Sequence, residues 1–148
     1  MHFEGVLESR SPRAKVFEMT TDPDQVATCL PDLQKFVVKS KDEFVATVRA
    51  GAGFIRGDFI LNFKITERDP PNHSKLLVHG TGMGSAVDVA IDVRITDGKT
   101  GGSTLNWTAE ASVSGKIASV GQRLIQGSAE KMINRFFDCF GQKIEQSA

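Results

Sequence analysis

From about Leu33 to Ser114 this chain is patterned as short strands, and from Gly115 to near Lys143 as one long amphipathic helix. No other feature narrows the fold so far. The cleanest strand signal puts Val87, Val89, Ile91, Val93 and Ile95 on one side and Asp88, Asp92 and Arg94 on the other. That period of two is what a sheet shows when one face meets solvent and the other a core. The helix carries Ile117, Val120, Leu124, Ile125, Met132, Ile133, Phe136, Phe137, Phe140 and Ile144 at helical spacing, with Gln122, Arg123, Glu130, Lys131 and Arg135 mostly elsewhere on the wheel. A sheet apolar on one face and a helix apolar along one stripe bury both when the sheet curves around the helix. Such an arrangement often encloses a cavity, so a ligand-holding module is expected before any catalytic motif is sought.

The remaining elements fit that plan. His2 to Glu8 forms a first strand, with Phe3, Gly5 and Leu7 on one side. Ser11-Pro12 starts a helix, a capping hydroxyl ahead of a proline at the first helical position. Thr21-Asp22-Pro23 starts a second short helix that ends near Cys29-Leu30-Pro31. Gln34 to Ser40 pairs with Phe44 to Ala50, and Gly51, Gly53 and Gly57 mark a bulge or bend. Phe59, Leu61, Phe63 and Ile65 then alternate with Asp58, Ile60, Asn62 and Lys64. Asp69-Pro70-Pro71-Asn72 is a turn, Lys75 to Gly80 a fifth strand, and Gly82 to Ser85 the link to the sixth. The seventh sets Leu105, Trp107, Ala109, Ala111 and Val113 opposite Asn106, Thr108 and Glu110. The expected class is α+β: a seven-stranded curved antiparallel sheet wrapped around a long C-terminal helix, two short helices after the first strand, one domain over residues 1–148.

Composition removes several functions. Eighteen basic residues balance eighteen acidic ones, and Lys35, Lys39 and Lys41 are interrupted by Asp42 and Glu43, so no basic patch speaks for a nucleic-acid partner. No apolar run approaches the ~20 residues of a membrane-spanning helix. Cys29 and Cys139 lie far apart with no metal-ligand spacing; with no signal peptide and a chain long enough to need no staple, both are expected to be reduced and buried in a cytoplasmic protein.

Catalytic signals are equally thin. Gly80-Thr81-Gly82-Met83-Gly84 resembles a phosphate loop only until its context is read, because it joins two strands rather than opening a helix. His2, His73 and His79 have no ligand partner at helical spacing, and His79 alone is placed to face the interior, as a buried hydrogen-bonded histidine. Asp88, Asp92 and Glu110 fall on the polar outer face. The aromatic set is more suggestive: ten phenylalanines and one tryptophan, with no tyrosine. Gly121, Ser128 and Ala129 keep the helix stripe small at its centre, and a helical glycine such as Gly121 or Gly127 costs ~1 kcal/mol against alanine, which calls for close packing or room for a bound molecule. The candidate ligand contacts are Phe59, Phe63, His79, Trp107, Leu124, Ser128, Met132 and Phe136; for the six apolar ones, core packing is an equally good explanation.

Phe3-Glu4-Gly5, Ser11-Pro12, Asp22-Pro23, Cys29-Leu30-Pro31, Gly53-Phe54-Ile55-Arg56-Gly57, Asp69-Pro70-Pro71, the Gly80-Thr81-Gly82 bend, the Gly115 to Ile125 run and the Phe136-Phe137 pair occur in that order over nearly the whole chain. Together they resemble the G-subunit-like proteins of carbon monoxide dehydrogenase. The resemblance implies the START-like helix-grip fold, a lipophilic ligand of quinone or lipid type with no tightly bound cofactor, and an accessory role beside a molybdenum hydroxylase. It also implies recruitment of that enzyme to the membrane. Many members extend through a linker to a hydrophobic tail; the sequence here ends at Ala148, so a shuttle or freestanding homologue is expected, with peripheral contact at the inner membrane face left open. Two other readings stand beside this one. The first is a cyclase- or lyase-type enzyme drawing on His79, Thr81, Ser128 and Asn62; the second is a protein-interaction module whose cavity is incidental.

Overall fold

The structure is a computed structural model and describes residues 1–146. Seven strands, β1 (His2–Ser9), β2 (Leu33–Val38), β3 (Glu43–Ala52), β4 (Ile55–Asp69), β5 (His73–Gly82), β6 (Ser85–Asp97) and β7 (Ser103–Gly115), form one sheet in the order β1-β7-β6-β5-β4-β3-β2. Every neighbouring pair is antiparallel. The chain meanders from β2 to β7, and β1 closes the far edge beside β7. Helices α1 (Arg13–Thr20) and α2 (Pro23–Ala27) bridge β1 to β2, and α3 (Gln122–Gln146) lies in the curve of the sheet.

The period-two residues take the faces their alternation implies. Phe59 and Phe63 on β4, Leu76 and Val78 on β5, and Val93 and Ile95 on β6 are buried on the inner face. A bulge between Ile65 and Glu67 shifts the parity of β4, which leaves Glu67 exposed and turns Arg68 inward. There Arg68 donates to the Asp42 carboxylate at 2.7 Å and to the Thr21 carbonyl at 3.1 Å. The charge thus closes the open carbonyl end of α1.

The short helices start differently from one another. Asp22 caps α2 as its sequence suggests, accepting from the Asp24 N–H at 3.0 Å with Pro23 at the first helical position. At α1 the cap is Pro12, one residue later than expected. The Ser11 hydroxyl donates instead to the Ile144 carbonyl at 3.2 Å, inside the fold, because the end of α3 packs there and offers an acceptor.

Two further expectations are corrected. The run from Gly115 is not one helix: a 3-10 turn covers Lys116–Val120, Gly121 breaks it at φ 97°, and α3 starts afresh at Gln122. Gly121 therefore serves as a hinge-shaped joint that a side chain would strain, rather than as packing inside a helix. The cysteines are not free. Cys29 and Cys139 form a disulfide with Cα atoms 5.5 Å apart, although 110 residues separate them. The end of α3 folds back over α2, a proximity that sequence spacing cannot express. Cys29 is buried and Cys139 half-buried.

Candidate functional site

A cavity of about 370 Å³ lies between the inner face of the sheet and α3. Its wall draws on β1, on every strand from β3 to β7, and on the α1–α2 segment through Thr20, Val26, Leu30 and Pro31. From α3 come Ile125, Ser128, Ala129, Met132, Ile133, Phe136, Phe137 and Phe140. Among the described residues, the only side-chain hydroxyls on the wall belong to Thr20 and Ser128, and no ionisable side chain lines the space. Thr20 is already committed, donating to the Phe17 carbonyl at 2.9 Å. A concave apolar surface of this kind rewards burial of apolar area and penalises an unpaired charge.

Rigid aromatic packing sets one wall. Trp107 stacks on Phe137 with ring centroids 5.3 Å apart, Phe137 meets Phe136 edge-on at 5.2 Å, and Phe136 stacks on Phe140 at 5.3 Å. The ladder therefore runs from β7 across to α3 in the geometries aromatic pairs prefer. Trp107 reaches it because Gly5 lies opposite on β1, where a β-carbon would come within 2.8 Å of the indole. On β4, Phe63 stacks on Phe44 at 4.3 Å.

Polar and covalent links fix the C-terminal half of α3 to α2 and the segment that follows it. Arg135 donates twice to the Asp32 carboxylate, at 2.9 and 3.2 Å. Those hydrogen bonds, and then the guanidinium charge, hold the Asp32 carboxyl below its ordinary range and raise Arg135. Lys143 donates to the Thr28 hydroxyl and, at 3.4 Å, to the Gln25 carbonyl. The disulfide joins the same two elements.

Of the eight residues singled out from sequence, Phe59, Phe63, Trp107, Ser128, Met132 and Phe136 line the cavity. His79 and Leu124 do not. His79 shares parity with Lys75 and Leu77, so it stands on the outer face with its side chain 53% exposed, paired with Asp88 at 2.6 Å. Leu124 is 53% exposed, because the restart of the helix at Gln122 turns it beside the β3–β4 hairpin. Asn62 and Thr81 are also exposed, so Ser128 alone of the four proposed polar groups reaches the cavity. Sequence reasoning missed the inner residues of β5 and β6, such as Leu76, Gly80, Val87 and Val89, as wall rather than filler. Their shared parity with Phe59 across the ladders was the available signal.

A second concavity, of about 580 Å³, lies on the outer face around Glu43, Lys64, His79 and Asp88. Polar pairs cross it: His79 is hydrogen-bonded to Asp88, and Lys64 lies beside Glu43. Beside it, His2 is raised above its ordinary value by hydrogen bonds to Glu110 and then Glu4. Among the described residues, no cluster of three His, Cys, Asp or Glu side chains could hold a metal ion, and no helix is long and apolar enough to cross a membrane.

The sequence model of the CoxG family, described as the carbon monoxide dehydrogenase G-subunit, matches residues 5–145. No curated protein matches the chain. Among solved structures, a conserved protein from Geobacillus kaustophilus is similar at 26% identity and a TM-score of 0.87, with 97% of this chain and 95% of that one covered. A START superfamily protein from Mycobacterium smegmatis shares the fold at a TM-score of 0.73 and 6% identity, over 99% of each chain. A protein from Chromobacterium violaceum shares it at 0.68 and 12% identity, over 97% of each.

Proposed function

Since the chain belongs to the carbon monoxide dehydrogenase G-subunit (CoxG) family, we propose that it carries a lipophilic small molecule, of quinone or lipid type, between the sheet and α3 without itself catalysing a reaction. One observation carries this reading: a cavity of about 370 Å³ whose wall is apolar on every element and, among the described residues, offers no ionisable side chain. General acid–base or nucleophilic chemistry needs convergent polar groups within hydrogen-bond reach of a reacting atom. Among the described residues, Ser128 is the one uncommitted hydroxyl on the wall, and no ionisable side chain lines the space beside it. Hydrophobic burial is what such a space does well.

The family description ties these proteins to carbon monoxide dehydrogenase. We therefore place the partner in the class of molybdenum hydroxylases, the carrier serving it in electron hand-off or in bringing it to the membrane. The test is to purify the protein natively, extract it with organic solvent and identify what is released by mass spectrometry. A stoichiometric quinone or lipid is the expected result. A clean extract, repeated after incubation with quinones, overturns the carrier and leaves a protein-interaction module.

A further inference from the structure

The end of the molecule opposite the disulfide gathers exposed apolar side chains. Phe54, at the tip of the β3–β4 hairpin, is 78% exposed; Met83, at the tip of the β5–β6 hairpin, is 45% exposed; Leu124 stands on the first turn of α3. Leu124 and Cys139 are fifteen helical residues apart, about 22 Å along α3. The three apolar residues belong to one surface. A β-carbon on Gly53 would touch Leu124 at 3.4 Å and Val120 at 3.5 Å, one on Gly84 would meet Lys116 at 3.2 Å, and one on Gly57 would lie 2.5 Å from the Met83 sulfur.

Charge is segregated at the same end. The segments Ala50–Gly57, Thr81–Val87 and Ala111–Ala129 contain no Asp or Glu, in a chain with as many acids as bases. They carry Arg56, Lys116 and Arg123, all exposed. Among the described residues none of these three is ion-paired, unlike Arg49 with Asp58 or Arg135 with Asp32. Met83 adopts φ 54°, a left-handed turn position that favours Gly or Asn. The methionine side chain lies over Gly57 yet stays 45% exposed, and side chains kept in such conformations cluster at functional positions.

Ala50, Gly51, Ala52, Ile117 and Ile125 line the cavity directly behind this surface. Here α3 is entered through Gly121, whereas its other half is pinned by the disulfide and by Arg135 and Lys143. Apolar residues on separate convex tips, bordered by three unpaired cations while the neighbouring Asp58 is taken up by Arg49, suit the interface of an anionic bilayer better than a flat protein face.

We propose that this end docks on an anionic lipid bilayer, Phe54, Met83 and Leu124 entering the interface while Arg56, Lys116 and Arg123 meet the anionic headgroups. A lipophilic cargo then passes between bilayer and cavity without crossing water, a step that rests on the carrier reading; the docking itself does not.

The test is co-sedimentation of the full chain with vesicles of phosphatidylcholine alone and of phosphatidylcholine mixed with phosphatidylglycerol. Uptake of N-phenyl-1-naphthylamine, without vesicles, is measured in parallel. Binding to the mixed vesicles is expected to be about tenfold tighter or more, and to weaken as salt rises. Phe54→Asp and Met83→Asn each cut it several-fold, and combined Arg56→Gln, Lys116→Gln and Arg123→Gln removes the lipid preference. None of these residues lines the cavity, so probe uptake by the variants stays at the parent level, which also shows that they fold. A parent chain that takes up the probe but ignores the mixed vesicles overturns the docking, leaves the carrier reading intact and assigns the surface to a protein partner. Binding that survives both Phe54→Asp and Met83→Asn, or that is equal on the two vesicle types, also overturns it. Vesicle binding with the expected losses but no probe uptake supports the docking and overturns the carrier.

Discussion

Asp32 occupies φ 52°, a conformation costly for most residues, and its carboxylate takes both hydrogen bonds from Arg135. The folded state holds this carboxyl below its ordinary value of 3.8, so the pair contributes stability above that pH and loses it as pH falls through the depressed folded value. Asp32→Asn keeps a residue that tolerates the left-handed backbone and removes only the charge. Melting temperatures of parent and variant are expected to differ at neutral pH and to converge under acid conditions; a gap that persists at low pH would assign the effect to backbone strain. At this scale the sequence was legible where parity decides, as for Phe59, Phe63 and Trp107. His79 followed the same rule, since it shares a face with the charged Lys75, and the outward placement was therefore available in the alternation. Leu124 was not, because its direction depends on where the helix restarts after Gly121.

Strands are the elements the sequence declares most openly, because one wet and one buried face impose a period of two. The β4 bulge and the Gly121 break are local departures that the pattern hints at through glycine and a lost phase, without placing them. The disulfide is illegible for a different reason: it depends on α3 lying over α2, a tertiary relation. It closes a separation of 110 residues between two elements that border the cavity. Replacing both cysteines by serine is expected to cost roughly 2–4 kcal/mol of unfolding free energy. Urea denaturation with and without dithiothreitol checks this: reductant should lower the midpoint of the parent to that of the double variant and leave the variant unmoved. Equal midpoints for parent and variant in the absence of reductant would show that the bond contributes nothing.

A sheet that curves around a helix must either fill the space between them or leave it, and the sequence pattern is the same in both cases. That is why every apolar candidate contact was equally a core residue until the elements were placed. What distinguishes the outcomes is the size of side chains at the centre of the stripe, where Ser128 and Ala129 leave room that Leu or Phe would close. Ala129→Trp should therefore occupy the cavity, abolishing uptake of an apolar probe while overpacking costs about 1–3 kcal/mol. Leu124→Trp, on the same helix but outside the cavity, should leave uptake in solution unchanged. The two variants also separate in thermal response. A ligand that binds only the folded state, at about a hundred times its dissociation constant, adds roughly 2.7 kcal/mol, or about 5–10 °C in a chain of this length. Differential scanning fluorimetry with a short-chain quinone should show that rise for the parent and for Leu124→Trp and none for Ala129→Trp. A rise retained by a folded Ala129→Trp would move the binding site out of the space between sheet and helix.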